Sequence, residues 1–463
     1  MNNQKEKTII SHLKQYGFIN SNAEIYQGLA KSWDLGINGA ELKRKLKNLW
    51  WDYFITSNPH NFPCETAILT HNDVLEASGH KKNFSDWVIE CLNCKKRIRL
   101  DNLISEKDFI SFLSLSSEEK NVFKLNEKCS CKGEFSTPVQ FNLMLKTNIS
   151  SSSNNSSDQI VYLRPETCQG IFINFLSIKN SFNKKIPFGI GQIGKSFRNE
   201  ITLNHGIFRT REFEQAELEF FVIDEKEKWW DYWVSKSWEF FRKIVNLNDK
   251  SIEKKEIRKE ELPHYSLKTL DFHFNYNFGW GEVCSMSDRG DYDLKNHSEK
   301  SSHFLGIIDE DGNKKFPHVI EVSFGIERLI LAILENSYRE EIVEKSQLKR
   351  TYLKIHPLLS PFFVSVMPLS KQLNNESYQV YLDLIKTAEF SVSYEETGNI
   401  GNRYRRQDSI GTFLCVTIDF ETKNDNKVTV RERDTMNQKR VSINELRNYI
   451  LKEIYQLKEE FLS

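Results

Sequence analysis

Arg211-Glu212-Phe213-Glu214-Gln215-Ala216-Glu217-Leu218-Glu219-Phe220-Phe221-Val222 is the stretch whose reading decides the fold. Strand side chains alternate between two faces. Ala216, Leu218, Phe220 and Val222 therefore share an apolar face, and Phe213, Gln215, Glu217 and Glu219 a polar one. Upstream, 194–200 reads as a second strand, joined to the first by a loop over 203–209. Downstream, 319–323 is a short strand, and Gly325 turns the chain into a helix with apolar Ile326, Leu329, Ile330, Ile333 and Leu334. Mostly antiparallel strands flanked by helices predict an α+β domain, not a doubly wound parallel sheet.

Towards the N-terminus, Leu42, Leu46, Leu49 and Trp50 mark an amphipathic helix over 41–50, preceded by a hinge at Gly36 and Gly39. The polar stretch 106–128 and the Ser/Asn-rich 149–159 read as insertions on a larger domain, the second as a flexible loop. The charged run 340–352 reads as a linker. Beyond it, strands at 362–367, 392–394, 413–419 and 427–431 alternate with helices at 378–390 and 402–409. Ser442 and Glu445 form a capping box opening a terminal helix. The expected division is a domain over 1–345, carrying an insertion at about 91–135, and an α/β domain over 353–463.

The 463 residues suit two or three domains. Lysine plus arginine number 64 and aspartate plus glutamate 64, which excludes a whole-molecule polyelectrolyte; contact with nucleic acid must use local basic patches. No apolar run approaches the roughly 18 residues of a membrane span, and the polar start Met1-Asn2-Asn3-Gln4-Lys5 has no signal core, so a soluble cytoplasmic protein is expected. Of eight cysteines, Cys91-x-x-Cys94 and Cys129-x-Cys131 form two knuckles that suit a tetrahedral structural Zn2+ clipping the insertion. Cys64, Cys168, Cys284 and Cys415 stand alone and read as small buried apolar residues.

Two clusters carry chemistry. Phe197-Arg198-Asn199-Glu200 and Phe208-Arg209-Thr210-Arg211-Glu212-Phe213 gather guanidinium groups, acids and rings on two joined strands. Guanidinium forks suit phosphate oxygens, and a ring face suits a purine. Together they would bind a nucleoside triphosphate without a glycine-rich cradle, a pattern this chain lacks. In the second cluster, Glu321 and Ser323 share a strand face and Arg328 lies in the first turn of the helix after Gly325, where backbone N–H groups favour an anion. Glu282, after Gly279-Trp280-Gly281, could hold a divalent metal on the phosphates.

These segments resemble the three signature motifs of class II aminoacyl-tRNA synthetases, and the resemblance narrows to the homodimeric glycyl type. Leu163-Arg164-Pro165-Glu166-Thr167-Cys168-Gln169-Gly170, Ala77-Ser78-Gly79-His80, Arg289-Gly290-Asp291-Tyr292-Asp293-Leu294 and Asn399-Ile400-Gly401-Asn402-Arg403-Tyr404-Arg405-Arg406-Gln407-Asp408 extend it over nearly the whole chain. The resemblance implies an antiparallel-sheet catalytic domain and a C-terminal anticodon-binding domain. It implies attachment of glycine to tRNA(Gly) through a glycyl-adenylate made with ATP and Mg2+. By the same resemblance Arg198 meets the α-phosphate, Glu200 the adenine side, Phe213 the adenine ring, Arg328 the far phosphates and Glu282 the magnesium. Asn199, Phe208, Arg209, Thr210, Arg211, Glu212, Val283 and Gly325 complete the ATP contacts. Glu166, Glu321 and Ser323, with Arg99, Phe213, Gln215, Glu217 and Arg289, make the glycine pocket, and the helix after Tyr26 forms the dimer contact.

Arg403, Tyr404, Arg405 and Arg406 are the expected tRNA contacts. Val322, Glu327, Cys168 and Ser409 depart from the family's usual proline, aspartate, alanine and glutamate. The competing expectation is a catalytically inactive relative serving as a nucleic-acid-binding accessory protein, which would lack the ATP-site arginines.

Overall fold

The computed structural model describes residues 2–29, 32–149, 159–201, 205–245, 251–343 and 347–463. Its centre is a seven-stranded sheet made of β1 (Asn61–Pro63), β2 (Phe188–Phe197), β3 (Glu212–Val222), β4 (Ile252–Glu256), β5 (Lys268–Tyr276), β6 (Gly279–Gly290) and β7 (His318–Gly325), in the order β4-β5-β6-β7-β3-β2-β1. All neighbours are antiparallel except β1 and β2.

The alternation read from 211–222 sorts the two faces of this sheet. Ala216, Leu218, Phe220, Ile320, Val322, Phe324, Cys284 and Met286 are buried in one core with apolar residues of the helices Ile37–Trp51, Lys226–Val245 and Ile326–Ser337. Full burial of each such large side chain contributes about 1.5–3 kcal/mol, which fixes the register. The opposite face carries Gln192, Gln215, Glu217, Glu219, Ser285, Ser287, Glu321 and Ser323 in cross-strand rows. Gln192, Glu217, Ser323 and Ser285 form one row; Ile190, Glu219, Glu321 and Ser287 form the next.

Three local expectations are corrected. Gly39 is no hinge: it lies inside the helix Ile37–Trp51, where a Cβ would collide with the Phe18 carbonyl. The charged run 340–352 is a hairpin of Tyr338–Val343 and Leu348–Leu353, held by a buried Arg350 whose Nε donates to Asp408 Oδ2 at 2.7 Å. Ser442 opens the terminal helix Ile443–Leu462 without a side-chain cap, and the capping box belongs to Ser116 and Glu119.

The segment expected as an insertion at about 91–135 lies within a small sheet of its own. Strands Ser85–Glu90, Arg97–Arg99 and Val139–Asn142 form its sheet, and the polar stretch supplies helices Glu106–Leu113 and Ser117–Val122. Its own small core holds Ile89, Leu100 and Phe112. The Ser/Asn-rich run at 150–158 lies outside the described residues.

The C-terminal sheet has the order Val392–Tyr394, Val364–Pro368, Leu414–Ile418, Lys427–Glu432, Gln438–Ser442. The first three are parallel and the rest antiparallel. Helix Asn374–Ile385 begins earlier than expected, and strand Gln438–Ser442 was not anticipated.

Candidate active site

The polar face of the sheet floors a cavity of ≈ 380 Å³ lined by Glu166, Arg198, Glu200, Phe208, Arg209, Thr210, Phe213, Gln215, Glu217, Glu282, Glu321, Ser323, Gly325 and Arg328, among others. At one end, the Arg198 guanidinium lies 5.2 Å from the ring centroids of both Phe213 and Phe84, and its Nε donates to the Pro165 carbonyl at 3.0 Å. At the other, Arg328 lies 4.7 Å over the Phe208 ring and pairs with Glu282 at 3.0 Å. A Cβ on Gly281 would stand 2.8 Å from Phe208, so this ring reaches the strand only because residue 281 has no side chain. The ring expected beneath a purine, Phe213, thus already faces an arginine.

Glu282 reaches this cavity because of a β-bulge. The register of β5 and β6 shifts between Phe272 and His273: His273 pairs with Glu282 and Phe272 with Cys284, leaving Val283 extra. Without it Glu282 would share the core-facing parity of Cys284 and Met286. The same insertion sends the Val283 side chain into the core, fully buried, so the expected ATP contact there would fall to its backbone.

Beneath the cavity lies an acid cluster around Arg289, itself 1 % exposed. Arg289 donates from Nη1 to Glu321 Oε2 at 3.0 Å, from Nε to Asp293 Oδ2 at 2.7 Å and from Nη2 to Asp293 Oδ1 at 3.1 Å; it stands 3.7 Å from Glu166. Glu166 meets His80 Nε2 at 3.2 Å and accepts from Gln169 Nε2 at 3.0 Å and Cys168 Sγ at 2.8 Å. Burial opposes its charge, but His80 and then Arg289 outweigh burial and hold the carboxyl well below the usual range. Glu217 accepts from the Thr167 backbone N–H at 3.0 Å, the Thr167 hydroxyl, Gln215 Nε2 at 2.7 Å and Ser323 Oγ at 2.8 Å. Burial and the charge of Glu166 nevertheless raise its pKa. Burial pushes the Glu321 carboxyl up to about 8 against the pull of Arg289.

The remaining expected residues lie elsewhere. Arg99 pairs with Asp86 and Asp101 in an adjoining cleft that shares Glu261 with the cavity. Asn199, Arg211 and the exposed Glu212 are outside the lining. Arg403 is buried and donates to the Pro368, Glu396 and Gly398 carbonyls, the last two at 2.6 and 2.7 Å. Tyr404 bonds Thr417 at 2.6 Å, and Arg406 pairs with Glu395 through two bonds at 2.8 and 2.9 Å. Three of the four residues of that basic run are therefore committed within their own domain. Sequence reasoning missed His80, Phe84, Glu219 and Asp293 as members of the site. His80 and Asp293 stand in strings that carry the family resemblance; Glu219 shows only as the third polar position of β3.

Cys91, Cys94, Cys129 and Cys131 converge, with Sγ atoms 3.5 Å apart for Cys91 and Cys131, 3.7 Å for Cys94 and Cys129, and all within 4.8 Å.

Comparison with known proteins places these features. Residues 151–337 match the tRNA synthetase class II core domain (G, H, P, S and T), and residues 364–453 the anticodon binding domain. The chain is 48% identical over 450 residues to a glycine–tRNA ligase of Mycoplasma mycoides, covering 96% of this chain and 97% of the relative. It is 45% identical to that of Caldanaerobacter subterraneus, covering 96% and 97%, and 44% identical to that of Geobacillus thermodenitrificans, again covering 96% and 97%. Among solved structures, a prolyl-tRNA synthetase from Cryptosporidium parvum shares the fold with a TM-score of 0.62 at 13% identity, covering 98% of this chain and 78% of that one. On relatives of this identity that span almost its entire length, the chain belongs to the glycine–tRNA ligases, a family of class II aminoacyl-tRNA synthetases.

Proposed function

We propose that the cavity joins glycine to ATP as glycyl-adenylate and then passes the glycyl group to the terminal ribose of tRNA(Gly), in the cytoplasm. The observation that carries this is the meeting of two arginines and an acid-lined pocket in one hollow. The glycine carboxylate attacks the α-phosphorus in line, and pyrophosphate leaves. Positioning and fixed charge carry such a transfer. Arg198 meets the charge growing on the α-phosphate and Arg328 the departing phosphates; Phe208 and Phe213 offer ring faces to the purine.

Glu166 and Glu321, with Gln215, Glu217 and Ser323, hold the ammonium end of glycine, and Arg289 braces Glu321 from below. Glycine offers no side chain to grip, and one extra methylene gains or loses only about 1–3 kcal/mol in an apolar pocket; affinity therefore rests on the ammonium contacts, and selectivity on a pocket that leaves no room for a methyl.

Hard oxygen donors suit Mg2+. Glu282, with its side chain 42% exposed, and Asp271 and Ser285 on the same wall fit that ion, which when bound neutralises phosphate charge. The cysteine cluster fits Zn2+: tetrahedral Zn–S bonds of about 2.3 Å put sulfurs about 3.8 Å apart. Gly133 leaves room for it, since a Cβ there would lie 2.8 Å from Cys91 Sγ, and the backbone N–H of Cys131 brings the Cys129 thiol down to about 6.

Arg405, half-buried and without a side-chain hydrogen bond or ion pair among the described residues, is the member of the basic run least committed within its own domain and so the best placed to take a tRNA phosphate. Ile25, Tyr26, Leu29 and Ile37, each at least 60% exposed, suit a contact between two copies of the chain.

Glycine-dependent ATP–pyrophosphate exchange tests the reading, with alanine and serine as controls. Glu321→Gln and Glu166→Gln should each lose most glycine activation with ATP affinity nearly unchanged. Equal kcat/KM for glycine in both variants and the parent would falsify the assignment, and no exchange with any amino acid would favour an accessory role.

A further inference from the structure

Glu219 is fully buried, and neither of its carboxylate oxygens has a hydrogen-bond partner among the described residues. Its surroundings are the reverse of what an ionised carboxylate needs. Across β3 and β7 it pairs directly with Glu321, and Ile190 closes its other side. One oxygen each of Glu217, Glu219 and Glu321 and the Sγ of Cys168 lie within 4.8 Å of one another. The nearby donors are already engaged: Arg289 serves Asp293 and Glu321, Gln169 serves Glu166 and Asp293, and Thr167, Gln215 and Ser323 serve Glu217. Five acids, Glu166, Glu217, Glu219, Glu321 and Asp293, thus surround one arginine and His80. A buried carboxylate without donors takes up a proton.

We propose that Glu219 is a positioning residue of the glycine pocket: it stands as the neutral acid beneath the floor and turns its O–H towards Glu321, holding that carboxylate in place for the substrate ammonium. Glu219 does not line the cavity, so it acts only through Glu321. Burial first, then the charges of Glu321, Glu217 and Asp293, raise its pKa well above the ordinary carboxyl value, with Arg289 opposing. The neutral form also explains how a second acid can stand beside Glu321 in that row without opposing the charge that Glu321 takes up when glycine binds. When glycine enters, its ammonium favours ionised Glu321, and the proton on Glu219 gives that charge a donor on the side away from the substrate.

The inference rests on the assignment of Glu321 to the ammonium, and the experiment separates the two. Glycine and ATP kinetics are measured for full-length Glu219→Leu, Glu219→Gln and Glu321→Gln across pH 6–8.5. Glu219→Leu keeps bulk but offers no donor; it should raise the glycine KM about tenfold and leave the ATP KM within about twofold. Glu219→Gln, a neutral donor, should recover most of that loss and leave the acid limb of the glycine kcat/KM profile where the parent has it. If Glu219→Leu matches the parent while Glu321→Gln is impaired, the pocket stands and this role does not. An acid limb moved down by a unit or more in Glu219→Gln means that a charge was removed, which overturns the neutral form. A divalent-metal content lower by one ion per chain in Glu219→Gln than in the parent would place a cation, not a proton, on Glu219.

Discussion

At Glu321 burial and substrate pull in opposite directions. An acid raised to about 8 keeps its proton in the empty pocket at pH 7, whereas an ammonium ligand favours the ionised form. Binding glycine there releases a proton. We expect kcat/KM for glycine to climb as pH rises from 6 through 8 and then flatten, and the heat of glycine binding to vary with the ionisation heat of the buffer. A flat profile with buffer-independent heat would mean that Glu321 is already ionised in the free enzyme. Glu166 adds nothing in that window, because His80 and Arg289 hold it ionised throughout. The two carboxylates look equivalent in the sequence, as glutamates in two recognisable strings. What separates them is their partners: both meet Arg289, but Glu166 also has those of residues 80, 168 and 169. Such sorting is tertiary, and no spacing along the chain encodes it.

Among the elements, β6 shows why one strand face was legible and another was not. Along β3 the parity is unbroken, so Leu218 and Phe220 could be set inside, and Gln215 and Glu217 on the site, by counting in twos. Along β6 the extra Val283 breaks the count, and Glu282 and Ser285 both face the cavity although they differ in parity. Deleting Val283 should therefore turn Glu282 towards the core. Both Val283 deletion and Glu282→Gln should lose pyrophosphate exchange, but only the deletion should lower Tm by several degrees. Equal Tm in the two would refute the bulge's role. Charge misled in a similar way at 340–352: Arg350 is buried against Asp408, not solvated, so a strand read as a linker. The insertion invites a further test. Ile89, Leu100 and Phe112 bury few apolar atoms for nearly sixty ordered residues, and conformational entropy costs about 1–2 kcal/mol per residue. Such a module needs a clip. Chelation of metal, or Cys94→Ser, should speed hydrogen exchange within 85–142 and leave the seven-stranded sheet protected; uniform protection everywhere would show that the cysteines bind nothing structural.

Over the whole molecule, the two sheets are tied together through helix Ile37–Trp51 and the terminal helix. Phe461, 2% exposed, inserts into the core beneath the seven-stranded sheet, while Leu446 and Ile450 of the same helix belong to the C-terminal core. Lys45 makes the second tie: its Nζ donates to the Ser360 carbonyl and, at 2.6 Å, to Ser391 Oγ. Burial brings its ammonium down to about 7, with Glu41 opposing and Arg44 assisting, whereas an unfolded lysine titrates near 10.4. Between those values the unfolded chain binds more protons than the folded one, so stability rises with pH, at up to about 1.4 kcal/mol per unit. Below pH 7 both states are charged and the slope vanishes. Thermal unfolding of the full chain from pH 7 to 9 should therefore show a Tm gain that shrinks in Lys45→Met, since methionine carries no proton to release. The other titrating groups are common to both proteins and drop out of the difference. Parallel Tm curves for the two would mean that Lys45 keeps its proton in the fold, and that the junction between the sheets is wetter than its contacts imply.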